Sequence, residues 1–177
     1  MSQPQTPPPT VRVGVGVFIL SRTHPPSSTS SPTSPNPTFL LGLRKNSHGS
    51  GTFALPGGHL EFNETFSACA QREMLEETGL VVTAPKFLTA TNDIMESENK
   101  HYVTVFMCCV REDETQEAEN LEKEKCEGWE WISWEEMKRG WEVKEGGEEE
   151  DVVKRKRLFT PLVNLIRQRP DVVPSYP

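Results

Sequence analysis

The segment from Gly58 to Leu80 decides the fold, and it reads GHLEFNETFSACAQREMLEETGL. Polar and apolar residues recur in it with a helical period, which predicts a helix over residues 64–78. Asn63 is the predicted N-cap and Gly79 the predicted stop, because asparagine accepts hydrogen bonds from free N–H groups and glycine adopts the left-handed conformation that ends helices. The sequence therefore places a single amphipathic helix at the centre of the domain.

Strands are predicted on both sides of this helix, from runs rich in β-branched and aromatic residues. The predicted strands are Val11–Leu20, Phe39–Arg44, Val81–Thr91, His101–Arg111 and Trp129–Ile132. We expect the first two to form a hairpin. The pair Gly57-Gly58 marks a place where the backbone turns sharply or approaches a ligand closely. Strands mixed with a few helices predict the α/β fold class.

Two further helices are predicted towards the end of the chain. The segment Ser133–Glu136 has the capping-box pattern that opens a helix. The last helix is predicted over Val152–Arg169, where apolar residues recur at helical spacing. Pro161 interrupts that pattern, and because proline has no N–H group it should kink this helix or start a new one.

The predicted domain organisation is one globular domain over residues 11–169. Residues 1–10 are expected to be a disordered N-terminal tail, and residues 170–177 a C-terminal tail. Residues 23–37 and 140–151 are expected to be flexible insertions, because the former is almost entirely Pro, Ser, Thr and Asn and the latter is rich in Gly and Glu. Such compositions bury too little apolar surface to offset the entropy of ordering.

Charge and composition exclude several classes of function. The net charge of −7 argues against a protein that binds duplex nucleic acid, which normally shows a basic face. The longest apolar run, Val13–Leu20, is too short to span a bilayer. None of the four cysteines stands in a CxxC pair, so a disulfide framework is not expected. We expect a cytoplasmic protein; the basic run Lys154–Arg157 indicates either a nuclear signal or, more often, a solvated helix face.

The predicted helix carries three carboxylates on one face. Glu73, Glu76 and Glu77 are three and four residues apart, and Arg72 lies at the edge of the same arc. Mutual repulsion costs about a few tenths of a kcal/mol per pair in water and more when buried. A solvated acidic face is one interpretation. The other is a site for Mg²⁺, which selects oxygen ligands. Helical phase puts Glu64 opposite Glu73, which leaves both a structural and a catalytic role open.

The complete pattern, from Gly58 through Glu64, Arg72-Glu73 and Glu76-Glu77 to Gly79-Leu80, resembles the signature of the Nudix hydrolases. The resemblance implies an α/β/α sandwich with a mixed central sheet. It also implies binding of Mg²⁺, for which Mn²⁺ substitutes. Glu73 and Glu77 would be ligands, with contributions from Glu76 and the Gly57 carbonyl.

The same resemblance suggests a division of catalytic roles. Arg72 would hold the carboxylates in place by charge-assisted hydrogen bonds, and Glu77 would act with the metal. Glu76 is the first choice for the group that accepts a proton from the attacking water. A glutamate of the following loop, Glu124 or Glu127, is the second choice.

Four other segments resemble the eukaryotic MutT-type nucleotide triphosphate diphosphatases. They are Leu55–Phe62, Cys69–Glu73, His101–Thr104 and Glu124–Trp131. That branch cleaves (deoxy)nucleoside triphosphates, including oxidised and modified purine nucleotides, to monophosphate and pyrophosphate. The likeness implies a homodimer and a nucleotide pocket that contains Arg44, Gly57, His59, Thr104 and Leu162.

Two alternatives stay open. One is a Nudix pyrophosphatase for another nucleoside diphosphate derivative, such as a nucleotide-sugar or a dinucleoside polyphosphate, since the motif alone leaves the substrate undefined. The other is a non-catalytic Nudix binding module, which the intact glutamates disfavour. Thr160-Pro161 stands where the branch carries an aromatic-glycine pair, and this departure concerns base selectivity.

Overall fold

Seven strands and three α-helices make up the described part of the chain. In chain order they are β1 (Arg12–Ser21), β2 (Thr38–Arg44), β3 (Phe53–Ala54), β4 (Gly57–His59), α1 (Phe66–Thr78), β5 (Val82–Met95), β6 (Lys100–Arg111), β7 (Cys126–Ser133), α2 (Trp134–Trp141) and α3 (Thr160–Gln168). A single 3₁₀ turn, Glu96–Glu98, joins β5 to β6. The five predicted strands and the helix after Gly58 are thereby confirmed, while the short strands β3 and β4 were not predicted.

This computed structural model describes residues 9–24, 36–46, 48–141 and 157–177, without the side chains of Gly140 and Trp141. The predictions of an N-terminal tail and of flexible insertions therefore fall largely outside the described residues. The same holds for most of the basic run at 154–157 and for the first part of the predicted last helix.

The strands form one mixed sheet in the order β3-β2-β1-β6-β5, with β4 paired to β1 and β7 to β2. The β1–β6 pairing is parallel and extends from Arg12–Tyr102 to Leu20–Val110, whereas β1 and β2 pair antiparallel as predicted. Parallel neighbours need a long crossover, and here the chain between them supplies α1 and β5.

Alternate residues of β1 face opposite sides of the sheet and enter two separate cores. Phe18 and Leu20 pack with residues of α2 and α3, such as Met137 and Leu165. Val17 and Ile19 pack with the inward face of α1, which supplies its buried apolar side chains to the second core, namely Cys69, Ala70 and Met74. Helices therefore cover both faces of the sheet, and the expected α/β/α sandwich is confirmed.

The start of α1 differs from the prediction. Thr65, rather than Asn63, is the N-cap, and its Oγ1 accepts a hydrogen bond of 3.1 Å from the Ala68 N–H. Asn63 adopts a left-handed conformation with φ of 66°, so the chain is still turning there. Gly79 ends the helix as predicted, with φ of 70° and its N–H bonded to the Leu75 carbonyl.

The end of the chain also differs. The predicted helix over Val152–Arg169 is wrong for residues 157–159, which are extended, and Leu158 bridges to Phe53 in parallel. Pro161 lies in the first turn of α3, where a missing N–H costs nothing. If the helix extended towards the N-terminus past Thr160, the Pro161 ring would clash with the carbonyl of residue 157. Proline therefore starts the helix instead of kinking it.

The predicted capping box is confirmed. The Ser133 N–H and Oγ both donate to the Glu136 carboxylate, and the Glu136 N–H donates back to Ser133 Oγ. The C-terminal segment 170–177 has no helix or strand, yet it packs on the domain: Val173 contacts the core and the Tyr176 hydroxyl donates to the Ser21 carbonyl at 2.8 Å. In the described part of the chain no helix is long and apolar enough to cross a membrane.

Candidate active site

A cavity of about 510 Å³ opens between the polar face of α1, strand β4 and the start of α3. Such a volume lies within the range of small-molecule sites. One end, which we call the carboxylate end, is lined by glutamates of α1 and of the loop before β7. The other, the apolar end, is lined by Phe106, Phe159 and Leu162. One opening thus combines an acidic region with a flat apolar one.

Arg72 gathers the carboxylates at the base of the carboxylate end. Its Nε and Nη2 donate to the two oxygens of Glu64 at 2.8 and 3.0 Å, and its Nη1 donates to Glu73 at 2.7 Å and to Glu76 at 3.2 Å. Nη2 also reaches the His59 carbonyl at 3.1 Å, which ties α1 to β4. The predicted role of Arg72 in holding the carboxylates agrees with these contacts.

Glu64 lies on the same side as Glu73, so the placement predicted from helical phase is wrong. The phase argument assumed that Glu64 was helical, but it precedes the helix in a loop that folds back along α1. Its carboxylate also accepts the Glu61 N–H at 3.0 Å. The bonds from Arg72 lower the pKa of Glu64 to about 2, so this carboxylate is fully ionised and engaged. These contacts favour the structural role.

Glu77 and Glu73 are the carboxylates of the site whose ionised forms are destabilised by their surroundings. The Gly57 N–H donates to Glu77 at 2.9 Å, but burial, together with the charges of Glu73 and Glu122, raises the pKa of Glu77 to about 8. Burial also raises the pKa of Glu73, in spite of its bond to Arg72. Both carboxylates are therefore short of positive charge, which a bound cation would supply.

The donor chemistry fits a hard divalent cation. The carboxylate oxygens of Glu73, Glu76, Glu77 and Glu122 line one end of one cavity, and oxygen donors are what Mg²⁺ selects. Gly58 leaves the room for this, since a Cβ there would lie 2.2 Å from Glu73 Oε1. Among the described residues no three acidic, His or Cys side chains converge as a ready-made metal site. The carboxylates of Glu73 and Glu76 instead face Arg72, and that of Glu77 faces the Gly57 N–H. The ligand set therefore stays a prediction.

Gly57 has a steric role that the sequence did not reveal. Its φ is 142°, and a Cβ would lie 2.0 Å from the Val15 carbonyl oxygen. The close approach expected at Gly57-Gly58 is therefore an approach to the neighbouring strand β1 and to Glu73. The predicted use of the Gly57 carbonyl as a metal ligand stays a prediction.

The loop before β7 contributes a glutamate that sequence reasoning missed. Glu122 lines the cavity and pairs with Lys125 at 2.7 Å, whereas Glu124 and Glu127 are exposed and do not line it. The loop has no regular period, so no pattern could tell which of its glutamates faces α1. The second choice for a proton-accepting group therefore passes from Glu124 or Glu127 to Glu122.

The apolar end is organised around Arg44 and Phe159. The Arg44 guanidinium carbon lies 4.6 Å from the Phe159 ring centre, and its Nε donates to the His48 carbonyl at 2.8 Å. Burial lowers the pKa of Arg44. A cation stacked on a ring is held in a fixed orientation. Arg44 therefore stands between the two ends of the cavity, where an anionic group would meet it.

All five residues predicted for the nucleotide pocket line this cavity: Arg44, Gly57, His59, Thr104 and Leu162. His59 is exposed at the rim, with its Nε2 3.1 Å from the Tyr102 hydroxyl. Thr104 and Leu162 are buried, at 7% and 2% exposure. Their shared location is a structural fact, and their contacts with a nucleotide stay predictions.

Comparisons with known proteins agree with this architecture. Residues 11–154 match the NUDIX domain family model. An ADP-ribose pyrophosphatase from Methanocaldococcus jannaschii is 36% identical over 67 residues, which are 38% of this chain and 40% of that protein. The chain thus spans about two fifths of the length of this relative.

Solved structures share the fold at low identity. A MutT NUDIX hydrolase from Burkholderia pseudomallei superposes with a TM-score of 0.58 at 18% identity, over 85% of this chain and 99% of the other. The NUDIX domain of Shewanella oneidensis NrtR, in complex with ADP ribose, gives 0.57 at 16% identity over 91% and 88%. The family match covers most of the chain and coincides with the sheet and with α1, and we conclude that the protein belongs to the NUDIX domain family, the family of the Nudix hydrolases.

Proposed function

We propose that the protein hydrolyses (deoxy)nucleoside triphosphates, including modified purine nucleotides, to nucleoside monophosphate and pyrophosphate in a Mg²⁺-dependent reaction. One observation carries the proposal: the carboxylate end and the apolar end belong to the same cavity, with Arg44 between them. A nucleotide has the matching order of parts, with a polyphosphate at one end and a flat base at the other.

The residues of the cavity have separate tasks in this reaction. Phe159 and Leu162 receive the base, and Arg44 holds a phosphate oxygen by charge. Glu73 and Glu77 would hold the cation, while Arg72 keeps Glu73 in place. A divalent cation held there would supply the positive charge that offsets the phosphoryl oxygens, and would lower the pKa of a water molecule.

Proton transfer falls to a carboxylate that can reach solvent. The Glu76 side chain is 55% exposed, at the mouth of the carboxylate end, and its bond to Arg72 of 3.2 Å is the longest that Arg72 makes to a carboxylate. Glu76 is therefore free to turn and accept a proton from the attacking water. Glu122, supplied by the loop before β7, is the second candidate for this task.

A second candidate substrate is ADP-ribose or a related nucleoside diphosphate derivative. The M. jannaschii relative is named an ADP-ribose pyrophosphatase, and the NrtR domain was solved with ADP ribose. The same cavity would receive the adenine at its apolar end. The two candidates differ in the group beyond the diphosphate, so their products distinguish them.

The test is a product-resolved screen with Mg²⁺, in which nucleoside triphosphates, ADP-ribose and dinucleoside polyphosphates are each offered and every product is identified. We expect pyrophosphate and monophosphate from triphosphates, no turnover without a divalent cation, and none in Glu77→Gln. Glu124→Gln removes an exposed glutamate from the neighbouring loop, and this matched control should keep the wild-type rate.

Three outcomes would count against the proposal. Orthophosphate as the sole phosphate product would exclude pyrophosphohydrolysis of triphosphates. Cleavage of ADP-ribose with no cleavage of triphosphates would move the protein to the second candidate function. A Glu77→Gln variant with most of the wild-type rate would remove Glu77 from the metal site.

A further inference from the structure

A fully buried aspartate lies directly behind the apolar end of the cavity. Asp93 of β5 is 0% exposed and is absent from both the predicted motif and the cavity lining. Three side chains contact its carboxylate: Thr91 and Thr104 donate their hydroxyls to Oδ2, and Asn164 donates its Nδ2 to Oδ1 at 2.8 Å. Buried carboxylates are costly unless donors surround them, and these three donors satisfy Asp93.

The sheet register brings these groups together. Thr91 lies opposite Thr104 in the β5–β6 pair, and Asp93 lies two residues further along β5, on the same face. Helix α3 covers that face and adds Asn164. The cluster therefore joins β5 to β6 and α3, whose residues Phe106 and Leu162 line the apolar end.

The orientation of the Asn164 side-chain amide shows that Asn164 donates and that Asp93 accepts. Its Nδ2 faces both Asp93 Oδ1 and, at 3.5 Å, the Asn92 carbonyl oxygen. Two oxygens around one amide atom require that atom to be the nitrogen. Asp93 therefore accepts from Asn164 through Oδ1, and its Oδ2 accepts from the Thr104 hydroxyl.

This arrangement decides the polarity of Thr104. A threonine hydroxyl has one hydrogen and two lone pairs. Its hydrogen is directed to Asp93, away from the cavity that Thr104 lines. Gly14 faces the same oxygen without a side chain, since a Cβ there would lie 3.8 Å from it. Thr104 Oγ1 therefore presents lone pairs, and no hydrogen, to a ligand.

We propose that Asp93 is a positioning residue for base selectivity: by taking the Thr104 hydrogen, it makes the apolar end select a purine with an N–H donor on the edge that faces β6. The inference deepens the proposed function and rests on it only in that a nucleotide base occupies this end. Guanine-type and adenine-type bases carry such donors, whereas unsubstituted purine carries only acceptors at the same edge.

The test measures equilibrium binding of nucleoside 5′-monophosphates by calorimetry, with GMP, AMP and purine riboside monophosphate as probes. We expect the tighter of GMP and AMP to bind about tenfold more strongly than purine riboside monophosphate, since a buried acceptor left unpaired costs roughly that factor. Monophosphates are not cleaved, so the result is independent of pyrophosphate release.

Asp93→Asn reverses the polarity. Asn164 still requires an acceptor, so the new carbonyl oxygen faces Asn164 and the new amide donates to Thr104. The Thr104 hydrogen then points into the cavity, and the tenfold preference should fall below about twofold. Thr91→Val also removes a bond to Asp93 but leaves Thr104 unchanged, so this matched control should keep the preference.

A second pair of variants covers the case in which Asp93→Asn does not fold. Thr104→Val removes the acceptor and should abolish the preference, while Thr104→Ser restores the hydroxyl and should retain it. An unchanged preference in Asp93→Asn or Thr104→Val would overturn the inference, as would equal binding of all three probes or no binding to the wild-type protein.

The two proposals fail separately. If triphosphates are not hydrolysed but Asp93→Asn still removes the preference, the proposed function is wrong and the polarity of Thr104 stands. If pyrophosphate is released but the preference does not depend on Asp93, the reaction stands and the inference is wrong.

Discussion

Replacing Glu64 with glutamine should weaken the fold in a way that depends on pH. The carboxylate accepts two hydrogen bonds from Arg72 and one from the Glu61 N–H, and its side chain is only 12% exposed. Glutamine keeps the shape but loses the charge and one acceptor. The loop before α1 would then be held to the helix by weaker bonds.

The magnitude follows from the pKa. The pKa of Glu64 falls from 4.5 in the unfolded chain to about 2 in the folded protein, mainly because of the hydrogen bonds from Arg72. Each pKa unit is about 1.4 kcal/mol, so the ion pair contributes about 3 kcal/mol at most, and solvent screening at the partly exposed Arg72 side chain reduces this to about 2 kcal/mol. That is a large part of the free energy of unfolding of an ordinary domain.

The sign of the pH dependence follows from which state binds the proton. Above pH 4.5 both states are ionised, and the full contribution is present. As the pH falls below 4.5 the unfolded chain takes up a proton that the folded protein does not, so the contribution shrinks. More than about half of it should be gone by pH 3.

Urea unfolding at a series of pH values from 7 to 3 measures this difference between wild type and Glu64→Gln. Glu112→Gln removes an exposed glutamate and should match wild type throughout. A gap that stays constant down to pH 3 would refute the linkage to Glu64. A gap below about 0.5 kcal/mol at pH 7 would show that Arg72 does not stabilise the loop through it.

Three other expectations concern the cavity itself. Gly57→Ala should lower the free energy of unfolding by about 3 kcal/mol or more, since its Cβ would meet the Val15 backbone at 2.0 Å. In Gly58→Ala the new Cβ would meet only the end of the Glu73 side chain, so this variant should keep the fold but lose turnover. Urea unfolding measures the first effect, and a rate assay measures the second. Mg²⁺ at about 100 times its Kd should raise the Tm of wild type by roughly 5 °C or more, as measured by scanning calorimetry, but should leave the Tm of Glu77→Gln unchanged. No shift in wild type would contradict the metal site. Phe159→Ala should raise the KM for a nucleotide about tenfold with little change in kcat, because Arg44 loses the ring on which it stacks. A lower Tm with unchanged KM and kcat would show that Phe159 only packs.

Much of the site was predictable because it lies on one helix. The relative positions of Arg72, Glu73, Glu76 and Glu77 depend on the helical repeat alone, and the repeat is visible in the sequence. Gly79 was predictable for the same reason, since a helix end needs the left-handed conformation. Glu64 was not, because its position depends on where the helix starts, and the N-cap is Thr65 instead of Asn63.

The partners of the helix could not be predicted, because they come from distant segments. Glu122 faces α1 through the conformation of an irregular loop, which carries no period. Asp93 becomes a buried acceptor only because the β5–β6 register sets Thr91 opposite Thr104 and α3 adds Asn164. A shift of one residue in that register would turn Asp93 to the other face of the sheet.

The sequence by itself determined the family motif, the α/β class and the acidic face of α1, since each depends on residues close together in the chain. The tertiary structure alone decided that β1 runs parallel to β6, that α3 begins at Thr160 with Pro161 in its first turn, and that Thr104 gives its hydrogen to Asp93. The physical reason is that local periodicity records which side a residue faces, whereas the partner it meets depends on pairing and packing between distant segments.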